Sequence, residues 1–303
     1  MGLKSYELNI ICLTMLKVLL IVLACIVCFG LFVMILDSNR FVIVDYDMSD
    51  EKIRKEHRLV FLSDLHAKSY GKDNKKLLDA IEMLDPEAIL IGGDMINAYP
   101  GSDFEKTDVF IKKLSDKFPL YYALGNHEYR AKIYPENYGS LYDDYLECLS
   151  KSGVRLMDNE NRDLSEDICI YGLSISANYY KRIKKQYMDD DYVKSEIGER
   201  KEDKFSILLA HNPDYFENYA KWGADLTLSG HVHGGVVRVP GWKGVISPRC
   251  VLFPKYDGGR FSEFSKEMII SRGLGMHTIP FRMFNPGELV VINLKPQRLE
   301  ENQ

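Results

Sequence analysis

Three things are scarce in this 303-residue chain: surplus basic charge, cysteine and repetition. Lysine and arginine number 39 against 44 aspartates and glutamates, a formal net charge of -5 at pH 7. A general nucleic-acid binder carries a basic stripe, so no nucleic-acid polymer is expected as a partner. Any anionic substrate must instead be drawn by a local site rather than by the overall field. The six cysteines form no disulfide framework. Cys12, Cys25 and Cys28 lie in an apolar N-terminal segment, leaving Cys148, Cys169 and Cys250, which cannot all pair. Cys25-Ile-Val-Cys28 is embedded in a hydrophobic run, so it is no thiolate metal motif, and the cysteines read as structural thiols. No internal repeat or low-complexity tract is present.

What is present is ordinary for a folded protein, 46% hydrophobic and 27% charged, with one exception at the N-terminus. The length suits one large catalytic domain or two modest ones. Val18 to Leu36 is an uncharged run, VLLIVLACIVCFGLFVMIL. As a helix it covers roughly 28 Å, close to the hydrocarbon thickness of a bilayer. A cleaved signal peptide is the competing reading, but the run is long for an h-region and no A-x-A-like site follows. Val22-Leu23-Ala24-Cys25 resembles a lipoprotein cleavage box, yet the residues after Cys25 stay apolar. A retained anchor over residues 1–40 is therefore expected, ahead of a catalytic domain over 41–303. Lys4 and Lys17 precede the span, and Arg40 follows it among Asp37, Asp45 and Asp47. Lys52, Arg54 and Lys55 weaken the charge asymmetry, which still favours a single-pass cell-membrane protein with its catalytic domain outside the cytoplasm.

Beyond the anchor, five short blocks end in metal-ligand side chains. They are Ser63-Asp64-Leu65-His66, Gly92-Gly93-Asp94, Gly125-Asn126-His127-Glu128, Ala210-His211-Asn212 and Gly230-His231-Val232-His233-Gly234. Besides His127, Glu128 and Asn212 they supply two carboxylates, one carboxamide and four imidazoles, enough to hold two divalent cations side by side. Hard oxygen donors mixed with imidazole suit Mn, Zn or Fe rather than Ca or Cu(I). A carboxylate can bridge two cations because its oxygens carry lone pairs in separate directions. Each block follows a compact apolar run: Leu59 to Leu62, Ala88 to Ile91, Leu120 to Leu124, Ile207 to Ala210 and Leu226 to Leu228. Such runs read as strands buried on both faces of an α/β sheet, with ligands at their C-terminal ends.

Phe41 to Asp47 alternates like a half-buried strand, and Leu77, Leu78, Ile81 and Leu84 share a helix face stopped by Asp85-Pro86. Val109, Phe110 and Leu114 suggest another helix, and Phe216 and Trp222 a third after Pro213. The charged stretch from Asn178 to Lys204, with Lys181-Arg182, Lys184-Lys185 and Asp189 to Asp191, reads as a solvated loop and helix; a lid over the site is the alternative. Met268 to Ile270 and Leu289 to Ile292 are expected to complete a second sheet. His231 and His233 are expected to share one face of an extended segment around Val232, with Gly230 and Gly234 leaving room for backbone. His57 and His277 belong to no block and read as incidental.

In order and residue type the five blocks resemble the calcineurin-like metallophosphoesterases, over nearly the whole chain beyond the anchor. The resemblance implies a four-layer αββα sandwich of two mixed sheets with a dinuclear site at the strand C-termini. It assigns Asp64, His66 and His233 to one metal, Asn126, His211 and His231 to the other, and Asp94 to both. His127 becomes the general acid or leaving-group stabiliser, which Glu128 orients unless it is a plain loop residue. Two such cations polarise phosphoryl oxygens and supply a nucleophile near neutral pH. The stretches around Gly230 to Pro240, Leu252 to Tyr256 and Ser271 to Gly275 look like the membrane-anchored or exported branch of small phosphodiesterases. Some members of that branch act on nucleotide-linked lipid pyrophosphates. The implied activity is hydrolysis of phosphodiester or pyrophosphate bonds, lipid-linked substrates included. A phosphomonoesterase or phosphoprotein phosphatase is the enzymatic alternative, and a metal-stabilised membrane scaffold the non-enzymatic one. Two positions depart from the family pattern: Asn97 stands for the second acid of GDxxD, and Val236 for a common Gln. Neither is a ligand, so both bear on substrate contacts; Arg272 and Lys255 are either phosphate contacts or structural residues.

Overall fold

The computed structural model describes residues 2–181, 185–235, 237–240, 243–246, 252–276 and 281–297. Arg182, Lys184, Val236, Cys250 and His277 lie outside the described residues. The chain opens with α1 (Gly2–Ser38), in which Asn9–Ser38 contains an 18-residue window of mean hydropathy 3.3 and is long and apolar enough to cross a membrane. Its side chains are exposed all round from Asn9 to Phe29. From there a face closes at Gly30, Val33, Met34, Asp37 and Ser38, the spacing of a helix packed on one side.

The strands follow as β1 (Phe41–Asp50), β2 (His57–Leu62), β3 (Ala88–Ile91), β4 (Leu120–Tyr122), β5 (Arg155–Leu156), β6 (Asn161–Asp163) and β7 (Ile168–Leu173). After them come β8 (Phe205–Ala210), β9 (Leu226–Ser229), β10 (Val237–Arg238), β11 (Gly244–Ile246), β12 (Gly259–Glu263), β13 (Lys266–Ile270) and β14 (Gly287–Pro296). One six-stranded sheet runs β1-β14-β2-β3-β4-β5 and a second runs β12-β13-β9-β8-β7-β6. Both are mixed: β14 is antiparallel to β2, and β12 and β6 are antiparallel edges of an otherwise parallel sheet.

Alternation along the buried strands builds the layers. Leu59 and Phe61 of β2 meet Ile207, Leu209, Leu226 and Leu228 of the second sheet in a core between the sheets. Val60 and Leu62 point the other way, onto the helices α2 (Lys75–Leu84), α3 (Glu105–Ser115) and α6 (Leu141–Lys151). The opposite face of the second sheet, with Tyr171, Leu208 and Ala210, packs on α7 (Tyr192–Ile197) and α8 (Phe216–Trp222). The result is the expected αββα sandwich. Helix α2 ends where Asp85 turns left-handed, because Pro86 bars it from continuing the helix.

Two expectations change. Met268 to Ile270 joins the second sheet, but Leu289 to Ile292 lies in β14 of the first, between β1 and β2. The charged stretch is not simply solvated, since Met188, Val193 and Ile197 are buried under the second sheet. Among the described residues Cys12, Cys25, Cys28, Cys148 and Cys169 are free thiols.

Candidate metal centre

Every site loop leaves the C-terminal end of a strand. Asp64 and His66 follow β2, and Asp94 follows β3. Asn126 and His127 open α4 (Asn126–Ile133) after β4, which runs into α5 (Pro135–Tyr138). His211 follows β8, while His231 and His233 follow β9. The backbone is bent sharply there. Asp64, His66, Asp94, His231 and His233 all hold φ between 49° and 70°, in the left-handed region that costs a non-glycine residue about 1–3 kcal/mol. Clustered strain of this kind persists only where surrounding contacts over-determine the loop.

His231 and His233 therefore do not alternate along an extended segment. Val232 N donates to Gly230 O and Gly235 N to Val232 O, so the GHVHGG block is a tight turn. Both imidazoles still reach the centre, because two left-handed residues curl them toward different groups. Gly230 meets Asp64 so closely that a Cβ there would strike its carboxylate and Ser63 Oγ.

Three groups of ligand atoms lie within 4.8 Å of one another: Asp64 with His66 and His233; Asp94 with His211 and His231; and His66 with Asp94 and His127. His66 Nε2 and His233 Nε2 are 3.2 Å apart, and His233 Nε2 is 3.3 Å from Asp64 Oδ1. Asp94 Oδ2 stands 3.1 Å from His211 Nε2 and 3.9 Å from His66 Nε2, in the position between the two groups. His127 N donates to Asp94 Oδ1 at 2.7 Å. All of the carboxylates and imidazoles are buried except His231, which is partly exposed.

This donor set fits divalent cations. Asn126 Oδ1 is buried without a hydrogen-bond partner, a costly state unless something else takes its lone pairs. The tautomers agree. His211 Nδ1 donates to Gly92 O at 2.7 Å and His66 Nδ1 to Asn97 Oδ1 at 3.0 Å, leaving each Nε2 lone pair inward. Burial opposes charge on His211, yet Asp94 and Asp64 push its imidazole up to about 9. Burial raises Asp64 to about 6, with His211 pulling against it. Asp94 is likewise opposed by burial, but His211, His127 and His66 hold it well below the usual carboxylate range. A cation held by His211 would have to displace the proton that Asp94 and Asp64 favour on this ring.

Several residues carry roles that sequence reasoning missed. The Glu128 carboxylate accepts the N–H groups of Asp94, Met95 and Gly125 at 2.8, 2.8 and 3.1 Å and the Tyr122 hydroxyl at 2.8 Å. It ties two ligand loops together, and burial with the Asp94 charge pushes it up to about 7. Its place three residues after Gly125 is the acidic half of a capping box, the signal that was legible. Asn97 holds the His66 ring through its Oδ1, and its Nδ2 also donates to His66 O at 3.1 Å. His127 Nδ1 accepts from Ala98 N at 2.9 Å. Tyr180, in the charged stretch, sets its ring 5.2 Å from that of His231. Arg272 and Lys255 are paired with Glu288 and Glu263, each at 2.6 Å.

The family pattern described as calcineurin-like phosphoesterase matches residues 57–235, a stretch that holds every one of these ligands. The chain belongs to this family. It is a metallophosphoesterase of the phosphodiesterase branch. It is 30% identical to the metallophosphoesterase Cj0846 of Campylobacter jejuni over 83% of this chain and 63% of that one. The match thus spans less than two thirds of that relative's length. It is 27% identical to the metallophosphoesterase YkuE of Bacillus subtilis over 78% of this chain and 79% of that one. Against the UDP-2,3-diacylglucosamine pyrophosphatase LpxG of Chlamydia trachomatis the identity is 23%, over 72% of this chain and 78% of the relative.

Proposed function

We propose that the protein hydrolyses phosphodiester or pyrophosphate bonds at a membrane surface, with two divalent cations (Mn, Zn or Fe) bound. The observation that carries this is Asp94, whose carboxylate lies within reach of both imidazole groups. Asp64, His66 and His233 would hold one cation and Asn126, His211 and His231 the other, with Asp94 placed to serve both. When bound, the pair supplies Lewis acidity toward phosphoryl oxygens and a nucleophile at neutral pH. The chain's own groups do the rest. His127 keeps Nδ1 on the Ala98 N–H, so its proton sits on Nε2 and is offered to the oxygen that leaves phosphorus as the P–O bond breaks. Asn97 and Gly92 fix the ligand tautomers, and Glu128 fixes the loops.

Helix α1 supports a single-pass anchor in the cell membrane, with Lys4 and Lys17 favouring a cytoplasmic N-terminus and an outer catalytic domain. That setting, and likeness to a pyrophosphatase of a diacylglucosamine nucleotide, favour lipid-linked pyrophosphates as substrates. Asp94→Ala and Asn126→Ala should abolish metal-dependent hydrolysis of bis-p-nitrophenyl phosphate while leaving the circular dichroism spectrum unchanged. Full activity of the native protein after exhaustive chelation would overturn the reading. Relative rates on lipid pyrophosphates, diesters and monoesters then rank the substrates.

A further inference from the structure

Helix α1 joins the sandwich at the end that carries the metal ligands. Phe41 begins β1 directly after α1 and pairs with Gly287, the first residue of β14. β14 is antiparallel to β2, so its start lies beside the end of β2, where Asp64 and His66 follow. The last turns of α1 are also bolted to the site loops. Asn285 N donates to Asp37 Oδ2 at 3.1 Å and Arg282 N to Ser38 Oγ at 3.0 Å. Lys68, two residues after His66, reaches Ser38 O. The same Asn285 donates its Nδ2 to His233 O and Gly235 O at 2.8 and 2.6 Å, while Arg282 holds Gly273 O and Gly275 O. Two residues thus connect the helix end to the histidine turn of the metal centre.

Depth follows from the helix itself. A Cβ on Gly30 would come 3.3 Å from Met283 Cε, so the domain touches α1 six residues before the apolar run ends at Leu36. Six residues of helix rise about 9 Å. On the opposite face at that level Phe32 and Ile35 are each 62% exposed, and Leu31 and Leu36 are exposed beside them. Those side chains need lipid, so the domain edge around Met283 shares the depth of the bilayer's outer margin. Apolar side chains continue from that edge. Met283 bridges to Val237, β10 pairs with β11, and Ile246 bridges to Leu252. Leu252 and Phe253 are 65% and 52% exposed, and Val239 is 40% exposed beside Pro240. Lys243 stands exposed in the same hairpin, suited to headgroup phosphates. This hairpin issues directly from the GHVHGG turn.

We infer that the β10–β11 hairpin and Leu252-Phe253 form a second membrane contact, seating the metal centre face-down on the leaflet beside α1. The occupant of the apolar rim is the bilayer, and substrate reaches the cations from the headgroup layer rather than from bulk water. The inference rests on α1 being a retained span. Monotopic contacts of this kind add to an anchor without replacing it.

Site-specific photo-crosslinking of the full chain in vesicles of phosphatidylethanolamine and phosphatidylglycerol separates the two readings. p-Benzoylphenylalanine is placed at Phe29 in the span, at Leu252 in the rim, or at Phe264. Phe264 is exposed in the β12–β13 turn, at the far end of the sheets. Lipid adducts are read by mass, and bis-p-nitrophenyl phosphate turnover checks each variant's fold. Adducts at Phe29 and Leu252, several-fold above Phe264, are expected. Adducts at Phe29 with Leu252 no higher than Phe264 would overturn the second contact and leave the anchor standing. No adduct at Phe29 or Leu252 would overturn both.

Discussion

Two clusters in this molecule use the same residue types and end differently. At the far end of the sheets His57 lies between Glu87 Oε2 at 2.6 Å and Asp167 Oδ2 at 3.2 Å. Asp225 there accepts from Lys52 and Lys266 at 2.7 and 2.6 Å and from Ser206 Oγ at 2.9 Å. Every buried carboxylate in that cluster is answered by a donor. At the far side from it Asp64, Asp94 and the imidazoles of His66, His127, His211, His231 and His233 are pressed together. There Asn126 Oδ1 has no hydrogen-bond partner, and His211 Nε2 faces the Asp94 carboxylate at 3.1 Å. The far cluster holds the sheets together, joining β2 of one to the start of β7 in the other. The near cluster holds strain in five left-handed residues, and that strain with the unanswered Asn126 Oδ1 marks it as a candidate binding site.

The largest break in that contrast should come from Glu128→Ala. It strips the acceptor from four buried backbone N–H groups, those of Asp94, Met95, Ile96 and Gly125, and from the Tyr122 hydroxyl. Each buried donor left unsatisfied costs about 1–3 kcal/mol, so denaturant unfolding should show a loss on the order of 5 kcal/mol. Metal content of the purified variant should fall with it, because the Asp94 and Asn126 loops are no longer tied. A loss below about 1 kcal/mol would mean that water replaces the carboxylate and the clamp is unimportant.

How far the sequence revealed this depends on which kind of order was at stake. Buried strands that end in ligands were legible, because continuous apolar runs followed by Asp, Asn or His combine a periodicity signal with a chemical one. Strand β7 carries no ligand and gave no such second signal, although all six of its residues are buried. The second strand-like run of the tail went to the wrong sheet because pairing partners far apart in sequence leave no local trace. The ligands themselves were legible by type. Their backbone was not: an alternating His-Val-His reads as a strand, and only the packed turn shows otherwise. Second contacts such as Asn97 on His66, or Asn285 between α1 and His233, depend on tertiary proximity that no spacing records. His57 read as incidental for the same reason, since Glu87 and Asp167 lie 30 and 110 residues away.

Asn97→Ala tests the near cluster more gently. The variant frees the His66 ring to rotate and to change tautomer, without removing a ligand. Losing such a hydrogen-bond partner typically costs 10–100-fold in metal affinity, so calorimetric titration of metal-free protein with Mn²⁺ or Zn²⁺ should weaken by about that factor. Asn97→Asp keeps an acceptor on His66 Nδ1 and should bind at least as tightly as the native chain. Equal affinities for the alanine variant and the native protein would assign Asn97 to substrate instead.

Asp167→Asn should have the smallest effect on function and sharpen the contrast from the other side. Burial opposes the Asp167 charge, but hydrogen bonds from Ser165 Oγ, Arg54 N and His57 hold its carboxyl well below the usual carboxylate range. A depressed carboxyl stabilises the fold above its unfolded value of about 3.9 and ceases to do so as pH falls toward its folded one. The native protein should therefore exceed the variant by about 1–3 kcal/mol at pH 7, with the gap intact at pH 5 and closing below about pH 4. Phosphodiester turnover per folded molecule should not change, because the pair lies at the opposite end of β2 from the ligands. A matching loss of turnover would mean that the far cluster positions the metal loops through the sheet, and the division between a cluster that holds and a cluster that binds would fail.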